Sequence, residues 1–166
     1  MFAKRPKLHI EKTMLEKIAN IIGLASILLM VFLIGFNWSN IPDIVPTHFN
    51  GSGKADGWGS KYTLLILPIV NIAAYILFEF LERKPHLHNY PFRFTEENAA
   101  QFYAVSVNIL NLTKNIIAMM FSYICYQIIA SGMKGTSQLN ITVMAIFMFL
   151  LVLVIVVGIF RLMKIK

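Results

Sequence analysis

Five of the polar side chains within residues 42–61, PDIVPTHFNGSGKADGWGSK, are candidates to bind a ligand: Asp43, His48, Asn50, Asp56 and Lys61. One imidazole with carboxylates can hold zinc or a harder divalent cation. Asp43, His48 and Asp56 are therefore a candidate metal site, although their spacing matches no zinc signature. The prolines and glycines of the same segment are typical of a rigid turn. Two interpretations follow: the five side chains form a ligand-binding site, or the segment is a polar turn.

A second group of polar residues interrupts two long apolar stretches of the chain: Asn71, Glu79, Asn108, Asn111, Lys114 and Asn115. Asn108, Asn111 and Asn115 are three and four residues apart, so they share one face of a helix. A lysine at the centre of a membrane helix costs about 2.5–3.5 kcal/mol, and Glu79 is the predicted partner of Lys114. This polar face either joins the helices through hydrogen bonds or lines a polar path or pocket.

Several functional classes lack their sequence motifs. The run Gly51-Ser52-Gly53-Lys54 does not have the spacing of a phosphate-binding loop, which requires G-x-x-x-x-G-K-[ST]. No Ser/His/Asp, Cys/His or H-E-x-x-H arrangement is evident, so we predict no catalytic residue. The net charge of +7 is not accompanied by a nucleic-acid-binding motif, and no nucleic-acid partner is predicted.

The elements that carry these residues are apolar runs of membrane-spanning length. The chain of 166 residues is 57% hydrophobic and 14% charged, whereas soluble domains contain about 25% charged residues. Four runs are long enough to cross a bilayer, at about 18–36, 62–81, 105–130 and 139–160. The predicted fold is therefore an all-α integral membrane protein, a single four-helix domain over 18–160 with basic tails at 1–17 and 161–166.

Positive charge is distributed unevenly between the two sides of this predicted bundle. The two tails and the second connection hold eleven basic residues: Lys4, Arg5, Lys7, Lys12, Lys17, Arg83, Lys84, Arg93, Arg161, Lys164 and Lys166. The positive-inside rule places both termini in the cytoplasm. Residues 37–61 are then a structured outer loop, and residues 82–102 are an inner loop. Thr13 and Thr95 are predicted to cap helices one and three, with helix three starting near Glu96 and residues 1–12 forming a loose tail.

Residues 41–61 also resemble the signature of a family of small bacterial membrane proteins, chiefly Gram-positive. That signature is approximately P-D-x-[IV]-P-x-H-[FW]-[ND]-x-x-G-x-x-D-x-x-x-S-K. It falls here on the following residues: Pro42, Asp43, Pro46, His48, Phe49, Asn50, Gly53, Asp56, Ser60 and Lys61. The family is a domain of unknown function that also forms the N-terminal part of the immunity protein against the sporulation-delay toxin. The resemblance implies a multi-pass protein of the bacterial cytoplasmic membrane without an established enzymatic activity.

Three functions agree with these observations. The first is a non-enzymatic envelope protein, similar to an immunity or stress-response component, whose outer loop recognises an extracellular peptide or lipid. The second is a small membrane enzyme or transporter that uses a loop metal or the polar face of Glu79 and Lys114. The third is a structural subunit of a membrane complex. No cofactor is predicted beyond a divalent metal in the outer loop, and the lipid bilayer is a partner in all three cases.

Overall fold

Four apolar helices form the body of the protein: α1 (Met14–Asn37), α2 (Ile66–Glu82), α3 (Ala99–Lys134) and α4 (Ile141–Lys164). The structure is a computed structural model, and it describes residues 5–91, 93–135 and 138–166. A 3₁₀ turn at Lys61–Leu65 precedes α2 and lengthens its apolar stretch to 22 residues. All four helices are long and apolar enough to cross a membrane, which confirms the predicted number of membrane-length helices.

Side-chain caps mark the starts of α1 and α4, at Thr13 and Asn140, but not those of α2 and α3. Thr13 and Glu16 form a reciprocal capping box at the start of α1, as the sequence predicts. Helix α3 was expected to start near Glu96 but starts at Ala99. The reason is a local turn in which the Thr95 amide donates to Asn98 Oδ1 (2.8 Å) and the Asn98 amide donates to Thr95 Oγ1 (3.3 Å). These side chains satisfy the backbone of the turn and delay the helix.

The predicted outer loop contains an antiparallel hairpin of strands β1 (Ile44–Phe49) and β2 (Ala55–Ser60), so the expectation of an all-α fold was wrong in this segment. Glycine-rich strands have low intrinsic propensity, which is why composition alone predicted turns. The hairpin turn needs a positive φ at Gly53 (79°), a conformation that side chains disfavour. The turn is also tied to the chain before α4, because the Leu139 amide donates to the Gly53 carbonyl (2.7 Å).

Helix α3 lies at the centre of the bundle and packs against the other three helices. Gly23 of α1 lies against Asn115 of α3, and Gly158 of α4 lies against Ile109 of α3. Such small residues let helices approach closely without the hydrophobic effect that drives packing in water. The hairpin covers one end of this bundle, where Val45 of β1 is buried in the same apolar cluster as Met30 and Leu64. We call this the hairpin end.

The opposite end, which we call the termini end, brings together the N-terminal segment, the connection between α2 and α3, and the last residues of the chain. An aromatic cluster of Tyr90, Phe94, Phe102 and Tyr103 joins them, and Ile10, Leu162 and Ile165 pack against it. The expectation of a loose N-terminal tail was therefore wrong for residues 5–12. Sequence could not reveal the apolar surface that this short segment covers, since the cluster forms only when the helices assemble.

Candidate functional site

The hairpin brings His48 and Asp56 together across its two strands. His48 Nδ1 is hydrogen-bonded to Asp56 Oδ1, and both side chains are well exposed. Asp43 and Lys61 form a separate pair at the base of the hairpin, with Lys61 Nζ 3.0 Å from Asp43 Oδ1. The Lys61 ammonium also lies 5.4 Å from the centroid of the Trp38 ring, so this pair fixes the hairpin to the end of α1.

Asn50 closes the hairpin turn. Its Oδ1 accepts hydrogen bonds from the Ser52 amide (3.0 Å), the Ser52 hydroxyl (2.7 Å) and the Lys54 amide (3.1 Å). This is the local side-chain-to-backbone bonding that makes asparagine a turn residue. The amide oxygen of Asn50 is thus engaged within the turn, whereas the side chains of His48 and Asp56 are both exposed.

The candidate metal ligands are divided between the two ion pairs. His48 is bonded to Asp56, whereas Asp43 lies on Lys61 at the base of the hairpin. Over residues 5–91, 93–135 and 138–166, no three His, Cys, Asp or Glu side chains are grouped so that they could hold a metal ion. The hairpin therefore carries a hydrogen-bonding pair rather than an assembled set of ligands.

An apolar groove lies beside the His48–Asp56 pair. No sequence motif predicted it. The groove has a volume of about 480 Å³ and lies between β1, the start of α2 and the part of α3 nearer the hairpin end. Its lining combines eight apolar residues with three polar ones: Pro46, Phe49, Leu64, Ile66, Leu67, Ile124, Ile128 and Leu139, with Thr47, His48 and Thr63. His48 is the lining residue that connects the groove to the Asp56 carboxylate.

A buried ionic cluster lies between α2 and α3, in the half of the bundle nearer the termini end. Lys114 Nζ is 2.7 Å from Glu79 Oε2 and 2.6 Å from Glu82 Oε1, and the Lys114 side chain is 0% exposed. The predicted pairing of Glu79 with Lys114 is therefore present in the structure. The ammonium also lies 4.7 Å from the centroid of the Tyr75 ring. Two carboxylates and an aromatic face thus compensate one buried positive charge.

Asparagines extend this cluster into a network that joins all four helices. Asn111 Nδ2 donates to Glu82 Oε2 (2.9 Å) and to Asn20 Oδ1 of α1 (3.0 Å), and Asn115 Nδ2 donates to the same oxygen (2.9 Å). Asn108 bridges α1 and α4, because it donates to Glu16 Oε1 (2.8 Å) and accepts from Arg161 (3.0 Å). Nearer the hairpin end of the bundle, Asn71 Nδ2 of α2 donates to the Ala118 carbonyl of α3 (3.1 Å).

The N-terminal segment completes the ionic cluster through Lys12. Lys12 Nζ lies 3.0 Å from Glu79 Oε2 and 3.1 Å from Glu82 Oε2. Partial burial acts to lower the pKa of Lys12, but the hydrogen bonds and charges of the two carboxylates outweigh it and raise that pKa above its usual value. A cleft of about 490 Å³ lies beside Lys12, lined in part by Glu79 and Glu82. The two carboxylates are thus balanced by two lysines and by Arg83, whose Nη2 lies 3.2 Å from Glu79 Oε1.

Sequence reasoning found the asparagines of α2 and α3 but missed Asn20 of α1 and four charged members of the network: Lys12, Glu16, Glu82 and Arg161. Glu82 was assigned to a loop, Glu16 only to a capping box, and Lys12 to a loose tail. The sequence did contain a signal for Glu82, because Glu79 and Glu82 are three residues apart and share a helix face. The position of Lys12 depends on the fold of the N-terminal segment and had no such signal.

A comparison with protein families finds a match in the part of the chain that contains the hairpin. Residues 25–72 match the family model described as Domain of unknown function (DUF1648), which here spans most of α1, the hairpin and the start of α2. An uncharacterized protein of Archaeoglobus fulgidus is 35% identical over 80 residues. That alignment covers 43% of this chain and 42% of the relative, so the chain spans less than half the length of this curated relative. No solved structure matches the chain.

These comparisons support the coarser part of the resemblance. The chain contains a region similar to DUF1648, and that region includes every strand residue of the hairpin and the whole 3₁₀ turn that follows it. The finer resemblance, to the N-terminal part of a toxin-immunity protein, stays a prediction. The structure and the comparisons together describe a membrane-like protein that carries a DUF1648-type hairpin region.

Proposed function

We propose that the protein is a non-enzymatic, immunity-like or stress-response-like component of the bacterial cytoplasmic membrane, whose hairpin end recognises a peptide or lipid. The apolar groove beside the His48–Asp56 pair carries this proposal. A volume of about 480 Å³ is typical of ligand sites, which combine apolar walls with a few polar groups. An apolar chain or side chain would fill the groove, and a polar group at its edge would meet His48 and Asp56.

The orientation in the membrane is part of the proposal. The termini end carries the basic tails and the basic second connection, so the positive-inside rule favours a cytoplasmic location for it. The hairpin end then faces the outside, where envelope-active peptides and outer-leaflet lipids are available. Asp43, Asn50 and Lys61 contribute by holding the hairpin in shape, while His48 and Asp56 contact the ligand.

Filling the groove tests this proposal. Leu67→Trp places a larger side chain in the groove lining, and we expect it to weaken the binding of a dansyl-labelled fatty acid by about tenfold, because the probe loses buried apolar contact. Ile69→Trp is the matched control, since Ile69 belongs to the same helix, is 67% exposed and does not line the groove. Binding is measured by dansyl fluorescence in detergent, with thermal stability as the test of folding.

The result would count against the proposal if Leu67→Trp bound the probe as tightly as the unchanged protein. A growth assay gives a second, independent readout. Cells that produce the protein are challenged with cationic amphipathic peptides, and survival should fall with Leu67→Trp but not with Ile69→Trp. Equal survival of cells with either variant, at equal protein levels, would exclude the groove as the origin of any protection.

A second candidate function uses the cleft that Glu79 and Glu82 line. A path or pocket for a small polar solute would need these carboxylates to exchange partners during function. Their contacts with Lys12 and Lys114 instead resemble a compensated structural cluster. Stability measurements on Lys114 variants separate the two roles, as described in the Discussion.

A further inference from the structure

A second, smaller cleft at the termini end is lined almost entirely by basic side chains. It has a volume of about 370 Å³ and lies between the N-terminal segment and the residues that follow α2. Its lining consists of five basic residues and one apolar residue: Lys7, His9, Arg83, Lys84 and His86, with Leu8. No carboxylate belongs to this lining within the described part of the chain. We call it the basic cleft.

The fold builds this cleft by fixing the N-terminal segment at two points. On one side, Arg5 Nη1 donates to the carbonyls of His88 (3.0 Å) and His86 (3.4 Å). On the other side, Lys12 is bonded to Glu79 (3.0 Å). Lys7 and His9 lie between these two anchors and are therefore held opposite Arg83 and Lys84. The concentration of positive charge is a consequence of tertiary structure and not of a basic run in the sequence.

The position of the basic cleft at the end of a membrane-spanning helix indicates the type of anion. Arg83 and Lys84 directly follow the last residue of α2, where lipid headgroups meet a spanning helix. Immediately before them, α2 exposes Leu77 (55%) and Phe80 (49%). Lys84 Nζ lies 4.5 Å from the centroid of the Phe80 ring, so the basic and apolar surfaces are continuous.

We propose that the basic cleft binds the phosphate of an anionic phospholipid whose acyl chains lie along Leu77 and Phe80. Phosphate oxygens would accept hydrogen bonds from the Lys7 and Lys84 ammonium groups. Arg83 would contribute through Nη1, because its Nε and Nη2 donate to Glu79 Oε1 (3.2 Å each). A free phosphate ion would use the charge but not the apolar face beside it. The lipid, in contrast, contacts both surfaces, and its headgroup would bridge the N-terminal segment and α2.

The test compares lipid retention by the full chain in a neutral detergent. Phosphatidylglycerol and phosphatidylcholine are added separately, and bound lipid is counted by native mass spectrometry. We expect a preference for phosphatidylglycerol, reduced by about 25-fold in Lys7→Gln/Lys84→Gln, since each basic side chain near an anionic headgroup contributes about fivefold. The control, Lys164→Gln/Lys166→Gln, removes the same charge from the same end of the protein outside the cleft and should change retention by less than about twofold.

Three results would overturn the proposal. The first is equal retention of the two lipids by the unchanged protein. The second is an equal loss of phosphatidylglycerol in the cleft variant and the control, which would indicate general attraction to the basic end. The third is binding of inorganic phosphate, dependent on Lys7 and Lys84, without retention of phosphatidylglycerol. Thermal stability of both variants is measured in the absence of added lipid, so that a loss of folding is not mistaken for a loss of the site.

Discussion

Replacing Lys114 with methionine is expected to lower the free energy of unfolding by about 3–5 kcal/mol, the cost of breaking a buried ion pair by removing one partner. The Lys114 side chain is 0% exposed and contacts both Glu79 and Glu82. Methionine fills a similar volume, so the loss arises from charge and not from a cavity. Among the described residues, Lys12 would be the remaining cationic partner of Glu82, whose side chain is 1% exposed. Reversible unfolding in mixed detergent micelles measures the change.

The double variant Lys114→Met/Glu82→Gln is the control for this prediction. It removes one charge of each sign and leaves Glu79 paired with Lys12, so its loss should be smaller than the sum of the two single losses. We expect a coupling energy of about 2 kcal/mol or more, within the range found for residues in one network. Additive single losses would show that the charges do not interact, contrary to their contacts.

The same experiment separates structural from functional roles of the cluster. If the cluster holds the helices together, stability and ligand binding at the hairpin end should fall together in Lys114→Met. If it forms a path or pocket for a solute, the variant would lose activity while remaining stable. An exchange of Glu79 and Lys114 is a weaker test, because a carboxylate at position 114 would face Glu82. A lysine at position 79 would equally face Lys12, so rescue is not expected even if the native pair is structural.

The parts of the fold that sequence predicted are those specified by local periodicity. Long apolar runs determine the four helices, because a membrane-spanning helix must satisfy its backbone internally. Steps of three and four placed Asn108, Asn111 and Asn115 on one face, and the cost of a buried lysine pointed to Glu79. Each of these inferences rests either on the spacing of residues within one helix or on one large energetic cost, such as that of burying an unpaired lysine.

The parts that sequence could not predict depend on contacts between distant segments. The apolar groove forms from β1, α2, α3 and the chain before α4. The sequence of any one of these elements does not predict it. Strand β2, with the sequence ADGWGS, has two glycines and little β-propensity, so its pairing with β1 decides its conformation. Lys12 joins the ionic cluster only because Ile10 and Arg5 dock the N-terminal segment on the assembled bundle.

Gly23→Ala is the second substitution with a large expected effect, because α1 and α3 approach each other closely there. A Cβ atom at Gly23 would overlap the side-chain oxygen of Asn115 and would lie 3.0 Å from the Cγ atom of Asn115. Asn115 cannot simply rotate aside, since its Nδ2 donates to Asn20 Oδ1 (2.9 Å) and to the Asn111 carbonyl (2.8 Å). The added methyl must therefore separate the helices or break these bonds.

We expect Gly23→Ala to cost about 2–4 kcal/mol of unfolding free energy, which combines overpacking with loss of buried hydrogen bonds. Gly35→Ala is the matched control on the same helix, because nothing lies within 4 Å of a Cβ atom at Gly35. That change should be neutral or stabilising by up to about 1 kcal/mol, the difference in helix propensity between alanine and glycine. Similar stabilities for the two variants would mean that α1 and α3 are not in close contact at Gly23. The asparagine network would then have to join the helices over a longer distance, and its hydrogen bonds between Asn20, Asn111 and Asn115 would lose their structural basis.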